Sequence, residues 1–334
     1  MTTVYAAMRD AFLTIDPDEG RCVESLTDHD GVCVAASSDA PDRVLCGTAD
    51  AGLHRSEDGG RSFERVGEST LDSEHVTSAT VSPHDPEEVW IGTEPSAVYR
   101  STDGGDTWER REGITDLPSE PEWYFPPRPD THHVRWIELD PHDPERLYVG
   151  IELGALILSD DAGETWRERP EGSRRDNHSL ATHPEERGRV YSAAGDGYAE
   201  STDAGESWTH PQEGLEHRYC WSVAPDPGDP EAVLVSSANG ARTAHTAGTA
   251  ESYVYRRTER EGRWARLDGR GLPTGEGVLR AEIDSAGSGE FYAVNNRGLY
   301  RTVDAGDSWE RIALDWEAYA ERAPWGMAVV SSRV

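Results

Sequence analysis

Six residues of this chain have the types from which a working pocket is made: His133, Arg135, Glu152, His178, Asp196 and Tyr219. Three chemistries fit them. Glu152 and Asp196 could serve as an acid/base or nucleophile pair on a glycosidic bond. Arg135, Arg218 and Arg280 could hold a substrate carboxylate beside Tyr219, because the guanidinium fork matches that group. His133, Glu152, His178 and Asp196 are types that bind a divalent cation, although their spacing matches no metal motif. Trp221, Arg242, His245 and Glu251 complete the ligand-binding candidates.

These residues must be positioned by repeats. The phrase Ser/Thr-x-Asp-x-Gly-x-Ser/Thr-Trp/Phe occurs five times, at Ser56–Phe63, Ser101–Trp108, Ser159–Trp166, Ser201–Trp208 and Thr302–Trp309. A pattern this specific does not recur five times by chance, so the chain is a repeat protein. The closing aromatic residues are spaced by 45, 58, 42 and 101 residues. A worn copy ending at Trp264 divides the last step into 56 and 45. A second phrase opens the units, as in Ser82-Pro-His-Asp-Pro-Glu-Glu-Val-Trp-Ile-Gly92 and Asp140-Pro-His-Asp-Pro-Glu-Arg-Leu-Tyr-Val-Gly150. It reads as strand, Pro/Asp turn, strand, which is a hairpin. Each unit therefore holds four strands, the size of a propeller blade.

Six units are readable, at about 31–70, 74–114, 132–170, 176–215, 218–268 and 277–315. A seventh is split. Strands at 4–8, 12–15 and 22–26 lack an inner partner, and residues 325–330 form a strand with nothing after it. The sequence predicts one all-β domain over 1–334, a seven-bladed β-propeller of four-stranded antiparallel blades. Its first blade joins 325–334 to 1–30, closing the ring without a free edge.

The repeated phrase resembles the Asp-box of BNR-repeat propellers, a group that includes sialidases, xyloglucanases, sortilin-type receptors and a photosystem assembly factor. The resemblance implies that the boxes are folding devices on the outer, lower rim. Their glycines supply the positive φ of a tight turn, and Asp and Ser/Thr bond within it. The aromatic residue is expected to fill the gap beside the next sheet. Asp58, Asp103, Asp161, Asp203 and Asp304 are thus assigned to structure. The candidate arginines with Tyr219 are similar in type to a sialidase site. The N-terminal Phe-Arg-Ile-Pro of sialidases is absent, however, and sialidases have six blades. Xyloglucanases of the group use two such propellers.

In such a ring, the segments leading into the inner strands and the turns after the second strands share the upper face. A pocket on that axis is the default site. Six of the 12 histidines, at 29, 75, 132, 133, 178 and 217, open inner strands. Most of the candidates named above fall at or near these positions in the fourth, fifth and sixth blades, and Arg280 opens the seventh. Two segments overhang them. The connection 112–131 carries Trp123-Tyr-Phe-Pro-Pro127, which could stack on a sugar ring or pack on the rim. The segment 238–253, with Arg242, His245 and Glu251, could fold over the mouth as a lid.

Composition bounds the rest. The net charge is −32, from 64 acidic and 32 basic residues, and every basic residue is Arg. That habit belongs to proteins of salt-rich cells, where molar salt screens the repulsion. The absence of lysine excludes Schiff-base chemistry, and the charge opposes nucleic-acid and anionic-membrane partners. The four cysteines have no metal spacing and read as buried thiols. With no leader pattern at the start, a cytoplasmic location is expected. The function read from the sequence is binding of a small polar or carbohydrate-type ligand in the axial pocket, with glycosidase-like hydrolysis as its enzymatic form. A scaffold that binds another protein, and a lyase or lactonase dependent on a divalent cation, are the alternatives.

Overall fold

A computed structural model describes residues 1–331. Seven antiparallel sheets follow one another around an axis. Their inner strands are Pro324–Ser331, Gly31–Ser37, Val76–Val81, Val134–Leu139, Asn177–Thr182, Tyr219–Asp226 and Glu282–Gly287. Each inner strand packs beside the next, and the seventh packs on the first. The first blade is split as the sequence predicts. Pro324–Ser331 pairs with Thr2–Met8, with Val4 opposite Val329 and Ala6 opposite Met327. Residues 332–334, the end of that predicted blade, lie outside the described residues. The fifth blade has three strands, and a single bridge between Glu200 and Thr209 stands where its outer strand would run. Among the described residues, no helix is long and apolar enough to cross a membrane.

The boxes are turns closed by side chains. In the fourth blade Ser159 Oγ donates to Asp161 Oδ1 and accepts from the Gly163 N–H, both at 2.8 Å. The Thr165 N–H and O–H donate to the two Asp161 oxygens at 2.8 and 2.6 Å. The same four bonds recur in the other four boxes. The hydroxyl of Thr165, followed by its N–H, holds the Asp161 carboxyl below its ordinary range.

The core is not central but lies in seven crevices between blades. One aromatic residue of each box or worn box fills a crevice: Phe63, Trp108, Trp166, Trp208, Trp264 and Trp309. Each packs against the preceding sheet, not the next one as the resemblance implied. Trp108, for example, belongs to the third blade and packs with Leu45 and Leu53 of the second. The reason is that the box turn itself lies against that sheet: a Cβ at Gly105 would meet the Trp108 ring at 3.3 Å and Leu45 at 3.6 Å. The crevice between the seventh and first blades has no box. Trp316 and Tyr319 fill it from the connection after the outer strand Glu310–Arg311.

Candidate functional site

One irregularity repeats around the ring and builds the site. Six inner strands slip register at the same level. The residue left unpaired is Trp325, Val32, Thr77, Arg135, His178 or Trp221, in blade order. A bulge adds one residue and re-aims its side chain. Arg280, just ahead of Glu282–Gly287, stands at the corresponding place in the seventh blade. The ring of extra residues makes the floor of an axial cavity of about 580 Å³.

The floor is a plug of aromatic and cationic groups. The Arg280 guanidinium lies 3.8 Å from the Trp221 ring centroid and 4.9 Å from that of Trp325. Arg135 lies on the Trp221 ring at 4.7 Å, and His178 packs on it at 4.6 Å. Trp221 Nε1–H and Arg280 both donate to Glu282 Oε1, at 2.7 and 2.9 Å. Burial, reinforced by Arg135, pulls Arg280 down to about 9 despite Glu282. Arg135 is 5 % exposed, lines the cavity and has no hydrogen bond to protein among the described residues.

Histidine–carboxylate pairs recur in three successive blades, and His75, His133 and Glu152 among them line the cavity. His29 meets Asp50 at 3.5 Å, His75 meets Glu94 at 3.4 Å and His133 meets Glu152 at 3.1 Å. Glu94 also accepts two bonds from Arg128, at 2.6 and 2.5 Å. Burial acts to raise Glu152, but the His133 bond and the proximity of His133, His178 and Arg135 outweigh it. Its carboxyl is held at about 2. In the fifth blade the place two residues before the bulge is taken by Asp176. Burial raises that carboxyl, against the pull of His178. The Leu153 N–H donates to Asp176 Oδ1 at 2.9 Å, and Leu153 adopts a left-handed φ of 51° to present it.

The overhanging segments both reach the cavity. Trp123 is buried against the rim, with Nε1 donating to Ser119 Oγ at 2.8 Å. Phe125, Pro126 and Pro127 line the cavity. Segment 238–253 forms the helix Ala241–His245, which crosses the mouth and is tied down by the Arg280 N–H to Ala244 O at 3.1 Å. His245 lies parallel to Trp325 and bonds Arg280 Nε at 3.1 Å and the Tyr219 hydroxyl at 3.2 Å. Burial, then Arg280, pulls His245 down to about 2, so it is neutral and accepts from Arg280. Burial pushes the Tyr219 hydroxyl well above its ordinary value.

The structure thus brings His133, Arg135, Glu152, Tyr219, Trp221, Arg242 and His245 to one cavity, with His178 and Arg280 buried in its floor. Three expected members are elsewhere. Asp196 is 45 % exposed and meets Arg174 at 3.9 Å, because the tight turn Gly195–Gly197 lifts it to the rim. This separates it from Glu152 and from the expected cation-binding set. Arg218 sits one residue before Tyr219 and turns away to Leu215 O at 3.4 Å. Glu251 accepts from the Tyr253 hydroxyl at 2.8 Å, beyond the lining. Asp176 and Arg128 are the members that sequence reasoning missed. Alignment of the fourth and fifth repeats, which sets Asp176 at the place of His133, is the signal for Asp176.

The repeat model described as BNR/Asp-box repeat matches residues 99–110, around the box of the third blade. The chain is an Asp-box propeller. No box residue lines the cavity, so the repeat identifies the frame and not the site. A search of curated protein sequences finds no match. Among solved structures, the propeller is similar to the GH74 enzyme of Niastella koreensis, with 18 % identity and a TM-score of 0.72. That match covers 92 % of this chain and 52 % of the enzyme. The GH74 xyloglucanase of Xanthomonas campestris gives 17 % identity and 0.68, covering 92 % and 53 %. YCF48 bound to a D1 peptide gives 16 % identity and 0.57, covering 84 % of this chain and 80 % of that one. These likenesses are of fold. The chain spans about half the length of the GH74 enzymes.

Proposed function

We propose that the axial cavity binds a small polar ligand of carbohydrate type that bears an acidic group. The observation that carries this reading is Arg135. Its guanidinium is buried, stacked on Trp221 and faces the cavity; it has no hydrogen bond among the described residues and meets Glu152 only at 3.9 Å. A buried cation without a hydrogen bond is costly, and a carboxylate from a ligand would satisfy it with two bonds. The cavity volume lies within the about 300–1,000 Å³ usual for small-molecule sites. Phe125, Pro126 and Pro127 add an apolar wall to the cavity.

Binding is better supported than hydrolysis. Glu152 and Asp176 are the carboxylates that meet, with ligating oxygens within 4.8 Å. These two hold His178 between them, at 4.0 and 3.8 Å, instead of flanking open space in which a glycosidic bond could lie. A second reading is a scaffold that seats a peptide across the mouth. The exposed Tyr124 and the Phe125–Pro127 run beside it favour this reading, since they give the mouth an apolar edge beyond what a small polar ligand needs.

The test is a titration of the full chain with neutral and uronate-bearing oligosaccharides and with a peptide library, read by tryptophan fluorescence and calorimetry. Saturable binding of a uronate-bearing sugar, lost in Arg135→Gln, supports the ligand reading. Binding of peptide alone, unaffected by Arg135→Gln, replaces it with the scaffold.

A further inference from the structure

We propose that His178, Glu152 and Asp176 bind one divalent transition-metal cation at the edge of the cavity floor. His178 Nε2 lies 3.8 Å from Asp176 Oδ1 and 4.0 Å from Glu152 Oε1, and one ligand atom from each residue falls within 4.8 Å of the others. The three side chains come from two blades: Glu152 from the turn after the second strand of the fourth, Asp176 and His178 from the inner edge of the fifth.

The tautomer of His178 decides what lies between them. Its Nδ1 is 2.7 Å from the backbone oxygen of Cys220. A carbonyl can only accept, so Nδ1 carries the hydrogen. In the neutral ring, Nε2 is then a bare lone pair aimed at two carboxylates. His178 is 0 % exposed, and Nε2 has no hydrogen-bond partner among the described residues. A proton on Nε2 does not resolve this, because both oxygens lie beyond the about 3.2 Å reach of an N–H···O bond. A cation bonded at about 2.0–2.2 Å to each atom fills this gap once the two carboxylates close in on it.

The surroundings have the form of a ligand set held from behind. A metal-bound imidazole usually donates its other N–H to a carbonyl or carboxylate, as His178 does to Cys220. His133 Nε2 holds the second oxygen of Glu152 at 3.1 Å, leaving Oε1 toward His178. The backbone has also been cleared at Gly195. A Cβ there would fall 1.9 Å from Asp176 Oδ2 and 3.1 Å from His178 Cε1. The nitrogen ligand selects a transition ion such as Mn²⁺ or Zn²⁺ over Ca²⁺ and Mg²⁺, which prefer all-oxygen sites. The proposal does not rest on the identity of the organic ligand, because metal uptake is read without one.

The full chain is stripped with chelator, then equilibrated with Mn²⁺ or Zn²⁺ in molar KCl and a large excess of Mg²⁺, which suppress loose binding to the acidic surface. Metal per chain is measured after gel filtration. One equivalent of Mn²⁺ or Zn²⁺ is expected. Asp176→Asn and Glu152→Gln should each lose at least tenfold in affinity while keeping the β-sheet circular dichroism. His178→Gln should do the same. If this buried variant fails to fold, the Asp176→Asn result decides. The proposal is overturned by no stoichiometric uptake in the wild type, by displacement with Mg²⁺ or Ca²⁺, or by a folded Asp176→Asn that binds as before.

Discussion

The backbone N–H of Val329 donates to Asp284 Oδ2 at 2.8 Å, joining the inner strand of the seventh blade to that of the first. Similar stitches run around the channel. The Thr182 N–H donates to Glu138 at 3.0 Å, Thr77 Oγ1 to Val134 O at 2.6 Å and Ser222 Oγ to Ala281 O at 2.9 Å. Neighbouring inner strands are not hydrogen-bonded as a sheet, so these side chains lace them. Asp284→Ala leaves the Val329 amide without its acceptor and should cost about 1–3 kcal/mol in denaturant unfolding. Asp284→Asn keeps an acceptor and should cost less. Equal stability of wild type and Asp284→Ala would show that the stitch contributes nothing to closure.

Stability should fall as pH rises through the mildly acidic range. Burial pushes Glu138 up to about 7 and Asp284 up to about 6. A carboxyl with a folded value above its unfolded one holds its proton more tightly when folded. The contribution is full below about pH 4, the unfolded value, and is lost as pH rises through the folded values. Melting temperatures taken from pH 4 to 8 should show a downward component that shrinks in the Glu138→Gln, Asp284→Asn double variant. An unchanged slope in that variant would assign the component to other groups.

Box and cavity should separate on substitution. Asp161→Ala removes the acceptor of three bonds in an exposed turn and should cost about 1–2 kcal/mol, the net worth of one or two hydrogen bonds. Ligand binding and metal uptake should be unaltered. Glu152→Gln should weaken metal uptake at least tenfold with a smaller change in melting. Loss of binding in Asp161→Ala at a temperature where it is folded would contradict this division.

Salt should stabilise the protein. With a net charge of −32, dilute buffer leaves like charges unscreened across the surface. The melting temperature should climb between about 0.1 and 3 M KCl, as the screening length falls from about 10 Å to below 3 Å. A flat profile would mean that the surface ion pairs already balance the repulsion locally.

Blade number and the split first blade were legible because strand, turn and box recur at sequence spacings that admit one reading. Arg135, His178, Trp221 and Arg280 were legible as residues opening inner strands. The bulges were not. One inserted residue reverses which neighbour faces the axis, and no residue type marks the insertion, since Val32, Thr77 and Trp325 occupy it as readily as Arg135. For that reason Tyr219 reaches the cavity while Arg218 turns aside. Asp196 misled for a local reason. Ile151 and Ala194 hold the same register in their blades, so Gly195 takes the place of Glu152, and Asp196 stands one residue later, at the place of Leu153, where the turn carries it to the rim.

The crevice without a box has a consequence for the order of folding. Six crevices join blades adjacent in sequence, each locked by an aromatic residue a few positions from its own strands. Such assembly can proceed blade on blade, as in a nearest-neighbour array. The seventh must unite Trp316 and Tyr319 with residues of the opposite end. The Tyr319 hydroxyl bonds Glu24, 295 positions away. Closing so long a loop costs little more than closing a shorter one, because the penalty grows only with the logarithm of length. It must nonetheless wait until the curved ribbon has formed. Trp316 should therefore be the last tryptophan to leave water, and its fluorescence in refolding should lag behind that of Trp208 or Trp264.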